Sequence, residues 1–365
     1  MLVPEVNAGR TGTSAATGNT VVAVTDGPDE VGGSAISGLS TLAQQVTEKT
    51  HALPGAIRDH AVITPLTGFR AASESCGAEI LVKCEHLQRT GSFKIRGALA
   101  KLLSMSGDQR ERGVVAASTG NHGIAVAHAL SALGGNGVVC VPENASPVKV
   151  AAIHRYPVEV RIMGREGAET EGLARHLAAR AQMSYVSPYN DLDVIAGQGT
   201  TGGEILEQLG GRHLDTVVAA VGGGGLISGV AAALKSALPG VRVIGASPAN
   251  DAAMAASVQA GQTVEIDARP TISDGTAGGV EPGSITLPLC RELVDEWLLI
   301  EEPEIHAALR LVIDTEHQLV EGSAAMAIAA GIRAGHRSPG QTIAIVSSGA
   351  NISSAALAQA ISSGP

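Results

Sequence analysis

From Gly113 onward the chain alternates between short apolar runs and longer stretches whose apolar positions recur every three or four residues. The apolar runs at 114–117, 138–141 and 158–163 each predict a buried strand. The stretches that follow them, 124–133, 147–155 and 166–182, have helical spacing. A repeating strand–helix order predicts parallel strands with helices on both faces. The pattern resumes after Tyr189, with a helix at 201–209, a strand at 215–221, a helix at 226–238 and a strand at 241–246. A further buried strand is expected at 342–347, running into Ser348-Gly349-Ala350-Asn351. The expected architecture is α/β, with two open, twisted parallel-sheet domains. A small domain at 113–191 is inserted into a large one made of 41–112 and 192–362. The natural place for a ligand is the cleft between them.

Residues 1–40 break the pattern. More than half of them are Gly, Ala, Ser or Thr, and the single basic residue is Arg10. A disordered extension is expected there. Ser40 is placed to cap a first helix over 41–49.

Composition narrows the function. Of 365 residues 44% are hydrophobic, yet there are only one Trp, three Tyr and two Phe. Few rings are present on which bases could stack, and 25 basic against 35 acidic residues give a net charge of −10. Both arguments exclude a nucleic-acid partner. No apolar run is long enough to span a bilayer and no secretory leader is evident, so a cytoplasmic protein without a membrane partner is expected. Cys76, Cys84, Cys140 and Cys290 form no C-x-x-C pair, which fits reduced thiols and no structural zinc.

Four segments could carry chemistry. Gly222-Gly223-Gly224-Gly225 follows a strand and opens a helix at Leu226. Backbone N–H groups and the helix dipole favour an anion at such a place, so phosphate binding is expected over a flexible linker. The pattern lacks the third glycine of a dinucleotide fingerprint and the lysine of a P-loop. Thr90-Gly91-Ser92-Phe93-Lys94-Ile95-Arg96-Gly97-Ala98 sets a lysine beside one of the two phenylalanines. A buried lysine has a lowered pKa and becomes a nucleophile and base, whereas an isolated one is more often a solvated helix residue. Ser118-Thr119-Gly120-Asn121-His122 leaves a strand and enters a helix, so it could hold a carboxylate or simply cap the helix. Ser348-Gly349 ends a strand, and alone it would pass for an ordinary turn.

Taken together and in this order, the segments resemble the fold-type II pyridoxal-phosphate enzymes, with the tryptophan-synthase-β-like fold. Within these, the chain is most similar to the threonine/serine dehydratase and serine racemase branch. The resemblance runs from Ile63-Thr64-Pro65-Leu66 to Asn351-Ile352. Ala117-Ser118-Thr119-Gly120-Asn121-His122 and Val194-Ile195-Ala196-Gly197-Gln198-Gly199-Thr200 look like a subgroup that includes hydroxyectoine-utilisation dehydratases.

The resemblance implies a PLP-dependent lyase that removes water from a serine- or threonine-like β-hydroxy amino acid, giving a 2-oxo acid and ammonia. By this likeness Lys94 forms the Schiff base with pyridoxal phosphate and acts as the base. Phe93 packs on the ring and Asn121 bonds its 3′ oxygen. Gly222, Gly223, Gly224, Gly225 and Leu226 cradle the phosphate, and Ser348 faces the ring nitrogen. Ser118, Thr119, Asn121, His122 and Gly275 face the substrate. Glu321-Gly322-Ser323-Ala324 resembles a segment near the cofactor. A homodimer is implied as well.

Three departures bear on these implications. Thr119 stands where racemases of the branch carry a catalytic serine, and it keeps a hydroxyl, so amino-acid racemisation is the alternative activity. Ser247-Pro248 replaces the Glu-Pro of metal-activated relatives, so no divalent-metal site is expected, although Asp251 is near. The sequence ends soon after Asn351, so the regulatory domain of biosynthetic relatives is not expected. A non-catalytic phosphate-ligand binder would need the glycine run but not Lys94.

Overall fold

The computed structural model describes residues 21–23, 38–145 and 147–362. The extension expected at 1–40 falls outside these residues, save 21–23 and 38–40. The strands are β1 (Val21–Ala23), β2 (Leu66–Gly68), β3 (Glu79–Lys83), β4 (Val114–Ala117), β5 (Gly137–Val141), β6 (Glu159–Ile162), β7 (Ser184–Tyr185), β8 (Thr216–Ala220), β9 (Arg242–Pro248), β10 (Glu296–Ile300) and β11 (Thr342–Val346). They form a seven-stranded sheet in the order β1-β10-β9-β8-β11-β3-β2 and a four-stranded sheet in the order β6-β5-β4-β7. Edge strands β1 and β2 pair antiparallel, and every other pairing is parallel.

The period-two alternation of the strands divides the large core. Leu81, Val217, Ala219, Val243, Trp297, Ala344 and Val346 enter one buried cluster. Their chain neighbours Ile80, Val82, Val218, Ala220, Ile244, Leu298, Ile343 and Ile345 enter the cluster on the opposite face. The five inner strands β3, β8, β9, β10 and β11 therefore bury both faces, and their interiors are largely apolar. Trp297 and Phe69 lie in these two clusters, fully buried. Gly245 sits across from Trp297, where a Cβ would come within 3.1 Å of the indole ring.

Ser40 caps the first helix as expected, its Oγ accepting from the Ala43 amide, and that helix runs Thr41–Ala52. The helix expected at 201–209 begins nine residues earlier and spans Leu192–Leu209, with Asp191 accepting the amides of Asp193 and Val194. Glycine lowers helix propensity, and here tertiary packing overrides it. A Cβ on Gly197 would lie 2.5 Å from the Arg96 carbonyl, and one on Gly199 would lie 2.3 Å from the Thr50 hydroxyl. The glycines let this helix lie close to the Lys94–Ser104 helix and to Thr41–Ala52.

Candidate active site

The C-terminal ends of the parallel strands carry the turns singled out in the sequence. β8 ends before Gly222–Gly225, β4 before Ser118–Asn121, and β11 before Ser348-Gly349. A parallel sheet collects its turns at one edge, so the segments converge although they lie far apart in sequence. They line a cleft of about 850 Å³ whose wall includes Lys94, Thr119, Asn121, His122, Gly275 and Glu321. A deeper recess joins it, walled by Phe93, Lys94, Gly222–Gly225, Leu226 and Ser348.

Lys94 is the first residue of its helix. Its Nζ donates to the Pro188 carbonyl at 2.8 Å and stands 5.2 Å from the centre of the Phe93 ring. Burial lowers the amine to about 8, against the opposing pull of Glu321. Much of it is therefore neutral near pH 8, as a nucleophile and base requires.

Glycine 224 adopts φ +84° directly before the helix Gly225–Ala237, and no side chain caps that helix. Its first amides thus face the recess unengaged by a cap. The neighbouring glycines are needed for close approach. A Cβ on Gly223 would fall 2.4 Å from the Tyr189 ring, and one on Gly222 would fall 2.7 Å from the Thr276 carbonyl. The helix Asn121–Leu133 also begins without a side-chain cap. Ser118 Oγ accepts from the Gly120 amide at 3.1 Å, and Thr119 lines the cleft. The alternative reading of Ser118, Thr119 or Asn121 as a helix cap therefore fails.

Asn121 reaches inward. Its Nδ2 donates to both oxygens of Glu321, at 3.1 and 2.9 Å, and its Oδ1 accepts from Asn351 at 2.6 Å. Ser348 Oγ donates to Glu321 at 3.4 Å. Burial raises the Glu321 carboxyl to about 7, although the Asn121 amide works against it. Gly349 allows this packing, because a Cβ there would lie 2.6 Å from a Glu321 oxygen. His122 points elsewhere: its Nε2 bonds the Val186 carbonyl at 2.8 Å, and burial lowers the imidazole to about 3. Only its backbone is left for a ligand at the turn. Gly275 lies against Ser323, where a Cβ would come within 2.9 Å of the hydroxyl.

Ser247 donates to the Val221 carbonyl at 3.1 Å, and Asp251 accepts the Gly278 amide at 2.8 Å. Both are committed to holding backbone. Among the described residues no group of three His, Cys, Asp or Glu side chains could hold a metal ion.

Sequence reasoning passed over Tyr189, Lys149, Glu171, Arg175 and Glu281, all of which line the cleft. Tyr189 is the one with a signal, since it is one of only three tyrosines and stands where the strand–helix pattern resumes.

A lysine amine in a recess, an uncapped glycine-opened helix and a hydroxyl at a neighbouring strand end form a donor set that fits an aldehyde-bearing phosphate cofactor. The family model for pyridoxal-phosphate-dependent enzymes matches residues 57–349. The chain belongs to this family. It is 41% identical over 258 residues to the catabolic L-threonine dehydratase of Escherichia coli, covering 71% of this chain and 78% of that one. The processed threonine deaminase isoform 2 of Solanum lycopersicum superposes with a TM-score of 0.84 at 31% identity, over 93% of this chain and 98% of that one. Maize serine racemase superposes with a TM-score of 0.80 at 29% identity, over 86% and 96%. The fold is thus that of the fold-type II branch, and the cofactor is pyridoxal phosphate. No helix among the described residues is long and apolar enough to cross a membrane.

Proposed function

We propose that this pyridoxal-phosphate enzyme is an ammonia-lyase that eliminates water from a serine- or threonine-like amino acid, releasing a 2-oxo acid and ammonia. The carrying observation is the Lys94 amine, lowered to about 8 and placed where the glycine-opened recess meets the cleft. The similarity to the Escherichia coli threonine dehydratase supports the same activity.

In this reading Phe93, Asn121, Gly222–Gly225, Leu226 and Ser348 hold the cofactor, and Lys94 is its covalent anchor. Bound pyridoxal phosphate withdraws electrons from the substrate Cα and acidifies its proton. The amides at the start of the Asn121–Leu133 helix bind the substrate carboxylate, helped by the helix dipole. That fixes which face of Cα meets Lys94. The neutral Lys94 amine would remove the Cα proton. The β-hydroxyl would then depart as water, taking the proton that Lys94 accepted from Cα. Water later exchanges the nitrogen of the released enamine for oxygen, freeing ammonia. Ser348, which lines the recess, would offer bound pyridoxal phosphate a hydroxyl rather than a carboxylate, so the group would withdraw electrons less strongly.

Racemisation is the second reading, supported by the Thr119 hydroxyl in the cleft and the likeness to maize serine racemase. A panel of β-hydroxy amino acids, scored separately for 2-oxo acid and for inverted chirality, distinguishes the two. Lyase activity predicts 2-oxo acid as the main product. Dominant D-serine from L-serine, lost in Thr119→Ala, would replace it with the racemase reading.

The small domain at 113–191 is proposed on its separate four-stranded sheet. The Lys94–Ser104 helix joins the halves, because Ile95, Leu99 and Leu102 pack with Val114 and Ala116. A cytoplasmic homodimer is proposed too, supported by four unpaired cysteines and by exposed Ile63, Leu87 and Leu319.

A further inference from the structure

The cleft mouth is built from charges that the proposed reaction does not use. On the small-sheet side stand Lys149, on the helix Pro147–Ile153, and Glu171 with Arg175, on the helix Gly167–Ala181. Opposite them stand Asp274 and Glu281. Lys149 is spent on Asp274 at 2.6 Å. Arg175 is spent twice, on Glu171 at 2.8 Å and on Glu281, and its guanidinium lies 4.2 Å above the Tyr185 ring.

Glu281 is itself fixed from several sides. Asn190 Nδ2 donates to its carboxylate, and its backbone amide donates to the Tyr189 hydroxyl at 3.0 Å. Asp251 holds the Gly278 amide of the same loop. Burial keeps the Glu281 carboxyl above its ordinary value, and Glu171 adds to this against Arg175. With the α-carboxylate held at the Asn121 helix as proposed above, the space left for the substrate side chain is the rest of the cleft, which these residues line. There it meets two cations already paired and three carboxylates. The remaining charged groups of the wall are Lys94, used in the reaction, and Glu321, a fourth carboxylate. A second carboxylate on the substrate would find no unpaired cation and would face like charge.

We infer that the cleft selects by side-chain charge, taking β-hydroxy amino acids with uncharged side chains and rejecting hydroxy-dicarboxylates such as 3-hydroxyaspartate, with Glu281 and Asp274 as the specificity-determining residues. This rests on the amino-acid reading of the cleft given above.

The test uses two four-carbon amino acids that lack a β-hydroxyl and so bind without losing water: L-2-aminobutyrate and L-aspartate. Each is titrated into the full-length, cofactor-loaded enzyme, with binding followed by calorimetry and by the visible absorbance of the cofactor. Aminobutyrate is expected to bind at least about tenfold more tightly. Glu281→Gln leaves Arg175 with one carboxylate and Asp274→Asn frees Lys149. Each should narrow the ratio by strengthening aspartate, while unchanged aminobutyrate affinity reports an intact cleft. Equal or tighter aspartate binding in the unaltered enzyme, or an unchanged ratio in both variants, overturns the charge rule alone. Failure of both amino acids to bind overturns the amino-acid reading of the cleft and the rule with it.

Discussion

Two buried sets of charges lie within two residues of each other on one helix, and they are built on opposite plans. At Arg96, fully buried, every direction of the guanidinium is answered. Its nitrogens donate to both oxygens of Glu85, to both of Glu204 and to the Thr200 hydroxyl. Lys83 completes the set, donating to Glu204, Gln208 and the Thr64 carbonyl. Burial pushes the Glu85 carboxyl up, but Arg96 overrides it and holds it below the ordinary range. At Lys94 the amine has one carbonyl partner, and burial wins. The contrast separates anchoring from chemistry. A buried carboxylate answered by a guanidinium, as Glu85 is by Arg96, stays charged and fixes the helix, whereas an amine with one carbonyl partner is displaced toward neutrality and becomes reactive. Lys83 lies between, its amine lowered by burial against the pull of Glu204.

The largest effect expected from breaking this contrast is at the reactive end. Lys94→Ala removes both the cofactor anchor and the base, so 2-oxo acid release should fall on the order of 10⁴-fold or more. Its fold should survive, since only one hydrogen bond is lost. A coupled assay for 2-oxo acid beside a thermal melt checks both parts. Appreciable turnover in the variant would remove Lys94 from the mechanism.

Arg96→Met tests the anchoring end. It leaves two buried carboxylates facing one remaining cation, Lys83. Breaking such a set from one side costs about 3–5 kcal/mol. Denaturant unfolding of the cofactor-loaded protein measures it. A loss below about 1 kcal/mol would mean that the cluster relaxes or admits water and is no rigid anchor.

The same contrast explains what could be seen in the sequence. The glycine run, the lysine segment and the Ser118 turn were legible because each is local, a strand–turn–helix junction with its own residue signature. Parallel topology then gathers them without further information. Glu321 and Asn121 make their contact across some 200 residues, and no local pattern announces it. Arg175 and Glu281 likewise meet across the cleft from elements 106 residues apart. Strands β3 and β10 were not foreseen, being five-residue runs that open on a glutamate, and β3 also ends in Lys83. A lysine at a strand end usually reads as solvated, and only the fold shows that Glu204 makes its burial possible. The early start of the Leu192–Leu209 helix was hidden by the glycines that let it pack.

Smaller effects follow from pH in the cofactor-free chain, with opposite signs for two groups. The folded-state amine of Lys94 lies at about 8, below its ordinary 10.5. The unfolded chain therefore holds more protons between these values, and this group makes stability rise with pH across them. Glu321, raised from 4.5 to about 7, does the reverse. The folded state holds the extra proton, so its contribution is complete below about pH 4.5 and is lost as pH rises toward 7. Each slope is at most about 1.4 kcal/mol per pH unit. Lys94→Met should flatten the alkaline rise, and Glu321→Gln should flatten the acidic decline while widening the alkaline rise, because it removes the carboxylate that pulls the Lys94 amine up. Unfolding free energies at half-unit pH steps resolve the two. A variant that alters neither slope shows that its group titrates as in water.

The weakest expected effect belongs to an ion pair that shares only its chemistry with the Arg96 cluster. Arg70 and Glu74 are one helical turn apart and 2.6 Å from contact to contact, with side chains 88% and 64% exposed. Water already solvates both, salt screens them, and holding two long side chains together costs entropy. Arg70→Ala should therefore leave the unfolding midpoint unchanged within error at moderate salt. Set beside Arg96→Met, it asks whether burial or the mere presence of opposite charges sets the energy. A clear destabilisation at Arg70 that persists in high salt would show that the contrast does not rest on burial, and would require another account of why Arg96 and Lys94 differ.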